Sequence, residues 1–118
     1  MNYEQARAYA VNVSRSGSIL GLDSIENLMH ELGDIQERLK IIHIAGTNGK
    51  GSTGAYLERV LIEAGYRVGR YSSPAVFDPM EVWRINLQSM SHEEYADIME
   101  QVKCACDRMV EKGMEHPT

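Results

Sequence analysis

Three glycines and a lysine fall within six residues of this chain, in Gly46-Thr47-Asn48-Gly49-Lys50-Gly51, and the hydroxyls of Ser52 and Thr53 follow directly. Ahead of them runs the apolar, β-branched stretch Ile41-Ile42-His43-Ile44-Ala45, and behind them Gly54 to Ala64 reads as a helix stopped by Gly65. Strand, glycine loop and helix is the order in which backbone N–H groups and a helix N-terminus converge on an anion. Glycines let the backbone approach phosphate closely, and Lys50 adds a mobile positive charge. The chemistry these residues suit is phosphate binding, with a nucleotide as the expected source. The general nucleotide loop has a glycine where this chain has Ile44, and a Ser or Thr where it has Gly51. A metal-binding hydroxyl must therefore come from Ser52, Thr53 or another segment. An ordinary turn has no need of so many glycines around a lysine.

Gly46-Thr47-Asn48-Gly49-Lys50-Gly51-Ser52 resembles the loop of the folylpolyglutamate and dihydrofolate synthases, a branch of the Mur ligase superfamily. Gly21-Leu22-Asp23-Ser24-Ile25 and Leu32-Gly33-Asp34 upstream, and Gly69-Arg70-Tyr71-Ser72-Ser73-Pro74 downstream, agree in order and spacing. The resemblance runs over nearly the whole chain. It implies an α/β, P-loop-containing, Mur-ligase-like ATPase domain with a parallel βαβ core, present as an incomplete N-terminal portion. Such synthases run to roughly three or four times this length. ATP and Mg²⁺ are the implied cofactors, with residues 46–53 around the phosphates, Lys50 as the catalytic cation and Ser73 as a metal ligand. The implied substrates are a reduced folate or dihydropteroate and L-glutamate, and the full-length enzyme is expected to be a monomer.

The elements that must position these residues read as follows. Residues 1–40 form a helical segment: Ala6, Tyr9, Ala10 and Val13 fall at helical spacing with Asn2 and Gln5 as a capping pair, and a second helix follows with Asp23 as N-cap and Gly33 at its end. Residues 41–71 form a βαβ unit, with parallel strands at 41–45 and 67–71 and a right-handed crossover. Ile41, Ile42 and Ile44 suit a strand buried on both faces, and His43 reads as a core histidine. In a parallel sheet the carboxyl ends of neighbouring strands meet at one edge, which places Ser72-Ser73-Pro74 beside the loop. Residues 72–118 hold that turn, an irregular connection over 75–80, and a half-buried strand in which Trp83, Ile85 and Leu87 alternate with polar residues. A long helix then opens on a Ser91/Glu94 capping box and ends at Gly113. Its stripe is Tyr95, Ile98, Met99, Val102, Ala105, Cys106, Met109 and Val110.

Composition bounds the partners. The 118 residues carry 12 Lys+Arg against 17 Asp+Glu, a formal net charge of -5, which argues against a nucleic-acid surface. No apolar run approaches the roughly 18 residues of a membrane span, and Met1 to Gln5 carry no secretory pattern. Cys104 and Cys106 stand two apart on a helical segment and so face different ways, which suits neither a metal clip nor a disulfide. A reduced, cytoplasmic setting is expected.

Three further readings use the same residues. A peptidoglycan-precursor ligase would run the same phosphoryl chemistry on another carboxylate, though Gly51-Ser52 and the Gly21-Leu22-Asp23 element favour the folate branch. A non-catalytic nucleotide-binding module is the reading from outside enzymology. A kinase or GTPase is disfavoured by the shortened loop and Gly51. In the resembled synthases further metal ligands, a carbamylated lysine and part of the glutamate site lie in later chain. These 118 residues alone are therefore predicted not to ligate glutamate; incorporation of labelled glutamate by the purified chain with MgATP and a reduced folate would overturn this.

Overall fold

The computed structural model describes residues 1–118, which form two compact units: Met1–Lys40 with Glu93–Thr118, and Ile41–His92. No helix is long and apolar enough to cross a membrane.

The first unit is helical. Helix α1 (Tyr3–Ser14) opens on the capping box expected from the sequence: the Asn2 side chain accepts from the Gln5 amide at 2.8 Å, and the Gln5 side chain accepts from the Asn2 amide at 2.9 Å. In α2 (Asp23–Glu31) Leu22, not Asp23, holds the N-cap position. Asp23 is the first helical residue, where its carboxylate meets the positive end of the helix dipole rather than capping a single N–H. Beyond α2, Gly33 donates to the His30 carbonyl at 3.0 Å and Asp34 to that of Met29 at 2.8 Å, closing the helix with the paired bonds of a Schellman end.

Helix α4 (His92–Glu111) follows Ser91 directly and closes in the same way, through Gly113 to Val110 and Met114 to Met109, both at 3.0 Å. Leu28 of α2 packs with Ala105, Cys106 and Met109 of α4, flanked by Leu32 and Val102. These α4 positions fall at i, i+3, i+4 and i+7, the spacing of one helical face. Ile98 and Val110, read as part of that stripe, are exposed. Helices α1 and α4 meet through the edge-to-face pair Tyr3–Tyr95, with ring centroids 5.8 Å apart, and through the Met1 amine on Glu100 at 2.6 Å.

The second unit corrects the strand reading. Residues 41–45 are not in a strand, and Ile41 and Ile42 are 68% and 61% exposed where burial on both faces was expected; His43 is exposed as well. The physical reason is that a segment becomes a strand only by pairing, and no ladder reaches this one. The three strands, β1 (Gly69–Tyr71), β2 (Trp83–Ile85) and β3 (Gln88–Ser89), form an antiparallel sheet in that order. No parallel βαβ pairing is present. The single strand expected beyond Trp83 is instead a hairpin, turned by Asn86 and Leu87 at φ 48° and 70°. Both residues are left-handed, as a two-residue type I′ turn requires. Asn86 is held there from both sides: its amide donates to the Val68 carbonyl and its Oδ1 accepts from the Val68 amide, each at 2.9 Å.

Met109 is fully buried in the α2–α4 core. Met109→Ala should cost about 2–5 kcal/mol in chemical denaturation, whereas Ile98→Ala on the exposed side of α4 should stay within about 0.5 kcal/mol.

Candidate functional site

Helix α3 (Lys50–Glu63) begins four residues earlier than the sequence reading placed it, so Lys50, Gly51, Ser52 and Thr53 are its first turn rather than loop. The cause is Gly49, the N-cap, at φ +79°. A left-handed residue there swings the chain from Gly46-Thr47-Asn48 straight into the helix, which a residue with a Cβ does at a cost. Thr53 makes the first i→i−4 bond, its amide donating to the Gly49 carbonyl at 2.9 Å. The amides of Lys50, Gly51 and Ser52 therefore lie ahead of the helical ladder.

No side chain caps this end and no acidic residue stands in the first turn. By contrast, α1 has a capping box and α2 has Asp23 and Glu26 in its first turn. The Lys50 ammonium folds back and donates to the Gly46 carbonyl, so a positive charge stands over the loop. Residues 46–53 are all exposed. Free amides, the positive end of a fourteen-residue helix and one lysine make a place for a polyanion.

Behind that turn lies a cluster the sequence reading did not assemble. Glu58 of α3 is 3% exposed, and its Oε1 accepts from Arg70 Nη1 at 3.2 Å and from Arg84 Nη2 at 2.8 Å. Arg70 belongs to β1 and Arg84 to β2, and their register pairs them directly across the sheet. Arg70 Nη2 also donates to the Gly51 carbonyl at 2.9 Å. Gly54 is what gives the guanidinium room: a Cβ there would sit 3.2 Å from Arg70 Nε. Two buried atoms of the cluster, Glu58 Oε2 and Arg84 Nε, have no hydrogen-bond partner. The available signal was Gly54, a small residue inside a helix four positions ahead of a charge on the same face.

Ser73 stands on the turn after β1 and is exposed. The turn is fixed by the Ser72 amide, which donates to the Val82 carbonyl at 3.0 Å. Ser72, Glu81, Arg84 and Ser89 supply the polar lining of a concavity of about 380 Å³ beside it. No group of three or more His, Cys, Asp or Glu side chains converges to hold a metal ion. The exposed hydroxyls of Ser52, Thr53 and Ser73 are hard oxygen donors, the type that suits a Mg²⁺ held chiefly by phosphate oxygens and water.

The connection over 75–80 is ordered by Glu81. Its carboxylate accepts from the amides of Val76 at 3.1 Å, Phe77 at 3.3 Å and Asp78 at 3.1 Å, while Asp78 Oδ1 accepts from the Met80 amide at 2.8 Å. The bond from Phe77, followed by that from Val76, holds the Glu81 carboxyl below the usual glutamate range. The clasp leaves the Phe77 ring 92% exposed. Trp83, expected on a half-buried strand, is half-buried, with its ring 6.4 Å from that of Tyr71.

A carboxyl whose pKa is lowered by folding stabilises the loop above its unfolded value and loses that effect as pH falls through the folded one. Glu81→Gln should therefore mimic, at neutral pH, the loosening that acid produces. Amide exchange at Val76, Phe77 and Asp78 is expected to accelerate in the variant, with Leu28 and Met109 unaffected. Equal protection in both proteins would show that the clasp does not order the loop.

No family model matches the chain. It is 34% identical over 116 residues to the dihydrofolate synthase/folylpolyglutamate synthase of Bacillus subtilis, covering 98% of this chain and 27% of that protein. The folylpolyglutamate synthetase structure from Lactobacillus casei matches with a TM-score of 0.89 at 28% identity, over 100% of this chain and 30% of that one. A bifunctional folylpolyglutamate synthase/dihydrofolate synthase solved with Mn, AMPPNP and L-glutamate gives 0.75 at 35% identity, over 85% of this chain and 25% of that one. The chain thus spans about a quarter of the length of the relatives it matches. By sequence and by fold, it is a homologue of the N-terminal region of the folylpolyglutamate and dihydrofolate synthases.

Proposed function

We propose that this chain is the nucleotide-binding front of an ATP-dependent ligase that joins L-glutamate to a folate carboxylate. The observation that carries the reading is the start of α3: uncapped, free of carboxylates, entered through Gly49 and overhung by Lys50. Its place in a chain similar to synthases, one of them solved with AMPPNP and L-glutamate, supports ATP and glutamate over other anions and amines. Residues 46–53 are the phosphate loop of this reading. The division expected from the sequence (1–40 helical, 41–71 around the loop, 72–118 beyond it) is kept as part of it. Residues 41–45, unpaired and mostly exposed, would enter a parallel sheet once neighbouring strands cover them.

A carboxylate does not condense with an amine at neutral pH because its oxygen is a poor leaving group. Transfer of the γ-phosphoryl of ATP to the carboxylate gives an acyl phosphate and ADP. The glutamate amine then adds to the carbonyl carbon, loses a proton, and the tetrahedral intermediate collapses to the amide with departure of phosphate. What the protein must supply is alignment and charge neutralisation around the phosphates. The amides of Lys50, Gly51 and Ser52 are placed to receive phosphate oxygens. Lys50 would exchange the Gly46 carbonyl for the β- and γ-phosphates, and Ser52 and Thr53 would add hydroxyl bonds. Ser73 would serve as a protein ligand to Mg²⁺, which would supply charge neutralisation at the phosphates.

The substrates in this reading are a reduced folate or dihydropteroate and L-glutamate, in a cytoplasmic enzyme that acts as a monomer. The net charge of -5 supports small molecules over nucleic acid, and both cysteines are free thiols, which suits a reducing compartment. Glutamate transfer itself belongs to a longer protein than these residues.

The test is Lys50→Ala with AMPPCP as ligand. Losing a charge-assisted phosphate contact should weaken binding about 10- to 100-fold by titration calorimetry, and in a full-length ligase it should abolish glutamate incorporation. Unchanged affinity in the variant would remove Lys50 from the site and the reading with it.

A further inference from the structure

We propose that Arg70, Glu58 and Arg84 form a brace that holds the first turn of α3 in its phosphate-binding shape, and that Gly54 is present to admit it. This rests on the nucleotide reading above and adds a set of residues that need not touch the nucleotide. The geometry is specific. One guanidinium, Arg70, spans two acceptors at once: the Glu58 carboxylate at 3.2 Å and, through Nη2, the carbonyl of Gly51 at 2.9 Å. Gly51 lies in the turn whose amides face the ligand, so Arg70 fixes the peptide planes of that turn from behind.

A planar fork holds two acceptors in one fixed geometry, whereas the rotatable donors of a lysine ammonium converge on a single point and do not. Glu58 holds the fork in place and is itself held by Arg84 at 2.8 Å. Two cations around one carboxylate leave an excess positive charge beneath a site for polyphosphate, with Arg70 and Arg84 only 15% and 28% exposed and so weakly screened. The brace also joins the site to the sheet, because Arg70 and Arg84 are cross-strand partners. A substrate bound beside the turn after β1 and a nucleotide on α3 would thus share one rigid support.

Gly54 acquires a role different from that of the loop glycines. It is buried within α3, where glycine is otherwise unfavourable, and a Cβ would meet Arg70 Nε at 3.2 Å, Nη2 at 3.4 Å and Cζ at 3.5 Å. Added helix propensity from alanine and lost bracing therefore act in opposite directions. That opposition separates positioning from stability.

The experiment is a double-mutant cycle on the 118-residue chain with Gly54→Ala and Arg70→Ala, together with Arg70→Lys. AMPPCP affinity, the melting temperature without nucleotide and amide exchange at Thr53 are measured for each. Gly54→Ala is expected to weaken AMPPCP binding on the order of 10-fold with a melting temperature equal to or above that of the parent. In the Arg70→Ala background the same change should alter affinity by less than about twofold. Arg70→Lys should not restore it.

Exchange at Thr53, whose amide makes the first bond of the helix, should accelerate in each single variant of the free chain, so the brace is read even where no nucleotide binds. Failure of the parent chain to bind AMPPCP would overturn the nucleotide reading alone. Unchanged exchange in the variants, or full affinity in Arg70→Lys, would overturn the brace. Loss of the helical signal in the free variants would mark the cluster as a folding element and overturn its positioning role.

Discussion

A carboxylate removed from water must be met by positive charge, and Glu58 is the one place in the second unit where that requirement organises its surroundings. Its 3% exposure leaves no solvent to compensate it. The two arginines that do so come from neighbouring strands and fix where α3 lies on the sheet. From that constraint follow the position of Arg70 over Gly54, the bond from Arg70 to Gly51, and the orientation of the turn carrying Lys50. A pair or triad of this kind is not a large source of net stability, because desolvation offsets much of the attraction. Its contribution is to select one arrangement, since any other would strand a charge.

The helical unit uses different means for a similar end. Its core is small, built on Leu28, Ala105, Cys106 and Met109. Tyr9 adds polar order at the α1–α4 contact, its hydroxyl 3.0 Å from His116 Nε2. Burial, followed by a hydrogen bond to Cys106, keeps the Tyr9 phenol protonated well above the usual tyrosine range. Burial likewise pushes the Cys106 thiol up, so this cysteine packs as a small apolar residue and not as a nucleophile. The candidate phosphate loop lies in the other unit, where the first turn of α3 is left uncapped.

The sequence made some of this legible and hid the rest for physical reasons. The cap on α1 and the core stripe of α4 are local signals written within one or two turns; the cap is where it was expected, and the stripe holds at Tyr95, Val102, Ala105, Cys106 and Met109 but not at the exposed Ile98 and Val110. The start of α3 was misplaced because Gly51, Ser52 and Thr53 are poor helix formers, and their helicity depends on the turn made by Gly49. The hairpin at Asn86 was missed because Leu87 is not the glycine that usually marks such a turn; the two bonds between Asn86 and Val68 hold it in place of intrinsic preference. The strand expected at 41–45 carries the right residue types, but pairing is a property of neighbours and not of composition. In the candidate site, Lys50 and its glycines stand out in the sequence by their spacing. Glu58 stands 12 residues before Arg70 and 26 before Arg84, so nothing local connected them.

The ion pairs of the two units also differ in their reach into solvent. Glu31 at the end of α2 holds Arg108 and Lys112 of α4, whose side chains are about half exposed. Mobile ions screen such charges over roughly 8–10 Å at ordinary ionic strength, whereas the Glu58 cluster is largely closed to them. Added salt therefore acts on the α2–α4 tie and leaves the underside of α3 nearly untouched. One chain thus carries a more electrolyte-sensitive clasp in its helical unit and a less sensitive one beneath the first turn of α3, and a cell's changing ionic composition would be felt more by the first than by the second.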